Sequence, residues 1–173
     1  MVDDALELAP QLGRDAPHAI GWILPGDLAN LRLQGRIVTA ARATALFLAE
    51  SDPRPRLAMV LGGPGLAREL DDVGIETVWP TPVGLAAAPD VLAVGVDFEL
   101  TYERLSIAAD AVRRGALFVA TNRDPIYPTD SGLNAGAGSM VAAIAAAAGR
   151  EPDLVVGKPE PRLFEAAAEI AGM

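Results

Sequence analysis

Cysteine is absent from this 173-residue chain, which excludes disulfides, thiolate metal centres and a cysteine nucleophile. Histidine is nearly absent too. His18 stands alone, with no second imidazole to complete a metal site, and reads as structural or exposed. Aromatics make up only 5% of the residues, so a core has to be built mostly from Ala, Val, Leu and Ile. Positive charge is scarce: 14 Lys and Arg stand against 23 Asp and Glu, a net charge of −9. That balance argues against a nucleic-acid partner, which needs a basic face, yet leaves room for a phosphate ligand at one local cation. No apolar run reaches the roughly 18 residues needed to span a bilayer, so no membrane partner is expected. The opening Met1-Val2-Asp3-Asp4 is acidic and lacks the cationic start of a signal peptide, so the expected location is the cytoplasm.

What is present is an alternation of helix and strand patterns. At 51% hydrophobic the chain can bury a sizeable core. Residues 1–36 are the hardest to place and admit short helices over 4–12 and 27–33 with a strand over 18–24. From Ile37 the pattern sharpens. Thr39 caps an Ala-rich helix ending at Glu50, and Ser51-Asp52-Pro53-Arg54-Pro55 breaks it. Apolar strands are predicted over 57–61, 75–79, 91–96, 116–120 and 154–156, with helices over 66–73, 101–114, 139–148 and 161–171. Residues 80–89 and 121–138 read as loops. Strands separated by helices of this kind mean βαβ units, hence an α/β fold with a mostly parallel sheet and flanking helices.

Ligands of open α/β sheets bind at the carboxyl ends of the strands. Several sequence features fall there. Val155-Val156-Gly157-Lys158-Pro159-Glu160-Pro161 reads as a strand, a sharp turn and a helix start, placing Lys158 at a strand end beside backbone N–H groups that suit an anion. Thr121-Asn122-Arg123-Asp124-Pro125 begins where another strand stops, and Asn122 and Asp124 either form Asx turns before the proline or face a ligand. Gly62-Gly63-Pro64-Gly65 reads as a strand-to-helix turn. It lacks both the Gly-x-Gly-x-x-Gly of dinucleotide-binding folds and the Lys-Ser/Thr of a Walker loop. Asp97-Phe98-Glu99-Leu100-Thr101 imitates an aspartyl-nucleophile motif. The second carboxylate is Glu99, however, whose extra methylene misplaces a general acid by about an ångström, and Thr101 reads more simply as a helix cap.

Taken together, three segments resemble the haloacid dehalogenase-like superfamily, in particular its NagD, 4-nitrophenylphosphatase and phosphoglycolate phosphatase branch. They are Val96-Asp97-Phe98-Glu99-Leu100-Thr101-Tyr102-Glu103-Arg104-Leu105, Gly115-Ala116-Leu117-Phe118-Val119-Ala120-Thr121-Asn122-Arg123-Asp124, and the segment from Val155 to Pro161. Pro128-Thr129 and Gly136-Ala137-Gly138-Ser139 follow the same branch in order and spacing, and the likeness covers roughly residues 36–173. The resemblance implies an α/β cap over 37–150, the start of the C-terminal part of a Rossmann-like core over 151–173, and an unassigned segment over 1–36. It implies phosphate monoester hydrolysis with Mg²⁺ and a small phosphorylated metabolite as substrate. It also implies Lys158 as the catalytic cation, Asn122, Asp124 and Gly157 on the substrate side, and a homodimer formed through the cap. The branch's Asp-x-Asp-Gly nucleophile motif has no counterpart in residues 1–36, nor is its Gly-Asp-x-x-x-x-Asp metal segment found. The expectation is therefore a truncated member, mostly cap, inactive as an isolated chain. The alternative is a non-catalytic α/β module that binds a small anion or a second copy of itself.

Overall fold

The computed structural model describes residues 39–129 and 132–157. The elements expected over 1–36 and 161–171 lie outside the described residues, as do His18 and Lys158. In chain order the elements are α1 (Ala40–Glu50), β1 (Leu57–Leu61), α2 (Pro64–Asp72), β2 (Glu76–Val78), α3 (Pro82–Ala86), β3 (Val91–Val94), α4 (Tyr102–Arg113), β4 (Leu117–Ala120), β5 (Ile126–Thr129), β6 (Gly132–Ala135), α5 (Ala137–Ala148) and β7 (Leu154–Val155).

Five strands form one sheet in the order β2-β1-β3-β4-β7, every pair parallel. Helices cover both faces, so the central strands carry almost unbroken apolar runs instead of an alternating pattern. Ala58, Val60, Ala93 and Val119 pack on one side with Ala43, Leu48, Leu66 and Leu70 of α1 and α2. Met59, Leu61, Leu92, Val94 and Phe118 pack on the other side with Ala108, Val112, Val141 and Ile144 of α4 and α5. Phe118 is the largest fully buried side chain among the described residues.

Caps explain where the helices start. The Oγ1 atoms of Thr39 and Thr101 accept hydrogen bonds from the backbone N–H groups of Arg42 and Arg104, at 3.0 and 3.1 Å. Each satisfies a donor that the first helical turn leaves without a partner. Asp90 joins the amino ends of two neighbouring strands. Its Oδ2 accepts from the N–H groups of Arg56 and Leu57 at 2.9 and 3.1 Å. These bonds hold its carboxyl below the usual carboxylate range, with the nearby Arg56 charge adding to them against a small opposing burial effect.

Two segments expected to be loops carry structure. Pro82, preset for a first helical position, opens the short helix α3, and Thr81 Oγ1 caps it by accepting from Gly84 N–H at 3.0 Å. Residues 121–138 contain the antiparallel ribbon β5–β6, with Ile126 opposite Ala135 and Thr129 opposite Gly132. The division expected between residues 150 and 151 falls between α5 and β7, and β7 hydrogen-bonds to β4 within the main sheet.

Candidate functional site

The carboxyl ends of β3, β4 and β7 meet side by side, and their ladder continues into the loops that follow. Thr121 N–H donates to Val94 O at 2.9 Å, Val156 N–H to Ala120 O at 3.1 Å, and Gly157 N–H to Thr121 O at 2.8 Å. The last bond places Gly157 against the start of the Asn122-to-Asp124 loop. Asn122, Asp124 and Gly157, expected together on the substrate side, therefore share one corner of the sheet.

That loop is gripped by glycines. A Cβ on Gly157 would lie 2.3 Å from Thr121 O, one on Gly136 2.3 Å from Asp124 O, and one on Gly138 2.2 Å from Arg123 O. None of these gaps admits a methyl group. Two N–H groups at the start of α5 are spent on the same loop, Gly136 on Pro125 O at 2.9 Å and Gly138 on Asp124 O at 2.8 Å. The Ser139 hydroxyl also donates to Pro125 O, at 2.7 Å. The positive end of this helix dipole thus faces the chain's own carbonyls.

Within the loop, Asn122 Oδ1 accepts from Asp124 N–H at 3.1 Å, an Asx turn. The turn uses the Asn122 oxygen and leaves its amide N–H₂ as a donor. The Asp124 carboxylate is half-buried and has no hydrogen-bonding or ionic partner among the described residues. Arg123 pairs with Glu151 at 2.9 Å, tying the loop to the α5–β7 connection.

Asp97 occupies the neighbouring corner and does a different job. Its side chain is 3% exposed, and its Oδ2 lies 2.9 Å from Arg104 Nη2. Oδ1 accepts from Glu99 N–H at 2.8 Å. No donor is aligned on Oδ2 for a proper hydrogen bond, so the Arg104 contact compensates it by charge. The Arg104 guanidinium also sits over the Trp79 ring, 5.7 Å from its centroid. A carboxylate so enclosed is not open to attack a substrate, and Glu99 beside it, with its side chain 89% exposed, is no organised acid. This agrees with reading the Asp97-to-Thr101 segment as a loop and helix cap. The Asp97–Arg104–Trp79 cluster itself carried no sequence signal, because Trp79 comes from a distant stretch and the Asp97–Arg104 pair crosses from a loop into a helix.

Among the described residues no group of three acidic or histidine side chains converges as a metal site would. No described helix is long and apolar enough to cross a membrane.

No family model matches the chain. Individual proteins do. The chain is similar to an acid sugar phosphatase of Staphylococcus epidermidis, 36% identical over 137 residues that span 79% of this chain and 50% of that protein. In structure it is similar to a p-nitrophenyl phosphatase from Archaeoglobus fulgidus, with a TM-score of 0.72 and 33% identity over 84% of this chain and 54% of that one. It is also similar to a glycerol phosphate phosphatase from Mycobacterium tuberculosis in complex with magnesium. There the TM-score is 0.68 and the identity 37%, over 78% of this chain and 40% of the other. The chain spans about half the length of the curated relatives it matches.

Proposed function

Because the chain belongs to the haloacid dehalogenase-like superfamily, in its NagD branch, we propose that it serves phosphate monoester hydrolysis as the α/β cap over the reacting phosphate. The observation that carries this reading is the hydrogen bond from Gly157 to Thr121. It holds Gly157, the residue before Lys158 in sequence, against the start of the Asn-x-Asp loop. Phosphoryl transfer spreads negative charge over the equatorial oxygens, and a positioned cation stabilises that charge. Lys158 is the cation in this proposal. The amide of Asn122 and the unpartnered carboxylate of Asp124 serve the polar, non-reacting part of a small phosphorylated metabolite, as donor and acceptor respectively. A second copy of the chain, docked through the cap, belongs to the same proposal.

Hydrolysis also needs a nucleophile and, in the magnesium-bound relative, a divalent cation accompanies the enzyme. Among the described residues the one buried carboxylate at this edge, Asp97, is committed to Arg104, and no three metal-ligating side chains cluster. The proposal is therefore that this chain by itself does not turn over. With 4-nitrophenyl phosphate and Mg²⁺, purified folded chain is expected to release no more nitrophenol than buffer. Turnover abolished by EDTA and by Lys158→Ala would show instead that the chain supplies its own nucleophile.

A further inference from the structure

The amino ends of β1, β2 and β3 line an open cavity of about 660 Å³, on the edge of the sheet opposite the Asn122 corner. Arg54 and Arg56 both line it. They flank a buried Pro55 and are themselves exposed. Arg54 is fixed by donating to the Val73 carbonyl, in the turn that ends α2. The Arg56 guanidinium donates to no protein acceptor among the described residues, which leaves its N–H fork unmet. Asp90 does not quench it by hydrogen bonding, because that carboxylate is turned onto the backbone N–H groups of Arg56 and Leu57.

The cavity wall includes Gly74 and Ala88, both with positive φ, at +80° and +53°. For alanine the left-handed conformation costs about 1–2 kcal/mol, and strain of this kind collects at functional walls. Their N–H groups are already used, Gly74 on Asp71 O and Ala88 on Leu85 O, at 2.9 and 3.1 Å. Recognition here would rest on the two guanidinium groups, which suit the paired oxygens of a phosphate or carboxylate. Glu76 and Asp90 on the same wall discourage a bare polyanion and accept from hydroxyl groups. The space is far larger than an inorganic anion.

We propose that this cavity is a second ligand site, for a small hydroxylated organic anion whose phosphate or carboxylate head is forked by Arg54 and Arg56. The site is independent of the phosphate-ester reading of the opposite edge.

The test is an amide-resolved NMR titration of the full chain with glycerol 3-phosphate and, separately, glycerate. At least one probe is expected to move the amides of Leu57, Gly74 and Ala88 in a saturable way, and the tighter probe identifies the head group. Arg56→Gln is expected to weaken that response by about tenfold, the loss of a charge-assisted fork. This variant removes no hydrogen bond from the fold, so it remains informative even if Arg54→Gln unsettles the end of α2. Lys158→Ala is expected to leave the response unchanged. The proposal is overturned if neither probe moves these amides, if Arg56→Gln binds as tightly as the parent, or if the response vanishes with Lys158.

Discussion

Gly138→Ala is expected to destabilise the chain by about 3 kcal/mol, although alanine is the better helix former. The sign comes from the Asn122-to-Asp124 loop. A Cβ at 138 meets the carbonyl oxygen and carbon of Arg123 at 2.2 and 2.5 Å and the carbonyl carbon of Asp124 at 2.8 Å, all backbone atoms that cannot swing aside. The loop must move, losing the Gly138-to-Asp124 hydrogen bond as it does so. Gly65 makes a matched control. It is likewise the second residue of its helix, α2, and a Cβ there meets nothing within 4 Å. Gly65→Ala is expected to stabilise by up to about 1 kcal/mol. Denaturant unfolding of the two variants should therefore shift in opposite directions, and a Gly138→Ala protein as stable as the parent would mean that the loop is not held as described.

Arg104→Ala is the second large effect, at about 3 kcal/mol, the low end for an orphaned buried charge because Arg104 is itself 19% exposed. Without the guanidinium, Asp97 keeps only one hydrogen bond, from Glu99 N–H, to a carboxylate that is 3% exposed. Part of the loss comes from the packing of the guanidinium on Trp79. The double variant Asp97→Asn with Arg104→Ala removes the uncompensated charge and should be more stable than Arg104→Ala alone. Additive losses in that cycle would contradict a direct coupling between the two side chains.

Much of the sheet could be read before folding was considered, because its strands are buried on both faces. Leu57–Leu61, Val91–Val94 and Leu117–Ala120 are continuous apolar runs bounded by turn residues, a pattern no surface strand shows. The strand expected to reach Val96 ends at Val94, where the chain passes through Gly95 into the loop that buries Asp97. The β5–β6 ribbon was hidden for the opposite reason. Its β6 residues are all exposed, so they carry no hydrophobic pattern, and Pro128 inside β5 discourages a strand reading. Ribbons of this kind are specified by pairing across a turn and not by burial. Similarly, α3 is too short for a helical period to register, leaving Thr81 and Pro82 as its only local signals.

The site was legible in part. The placement of Asn122, Asp124 and Gly157 at strand ends follows from the parallel topology alone. Their meeting at one corner does not, since it depends on β7 lying next to β4 and on glycines 136, 138 and 157 allowing backbones to touch. The ion pair of Asp97 and Arg104 joins a loop residue to the first turn of α4, so no single helical or strand period reveals it. The amino-edge cavity depends on three separate strand beginnings and was likewise invisible along the chain.

The measurement that bears most directly on the central claim is an amide-resolved NMR titration of the chain with 4-nitrophenyl phosphate. If the Asn122 corner faces the phosphate ester, the amides of Asn122, Asp124 and Gly157 move together and saturably, and Lys158→Ala abolishes the movement while the fold is retained. Amides at that corner that stay still, or that move identically in the Lys158→Ala protein, would contradict the assignment of this edge to phosphate-ester chemistry.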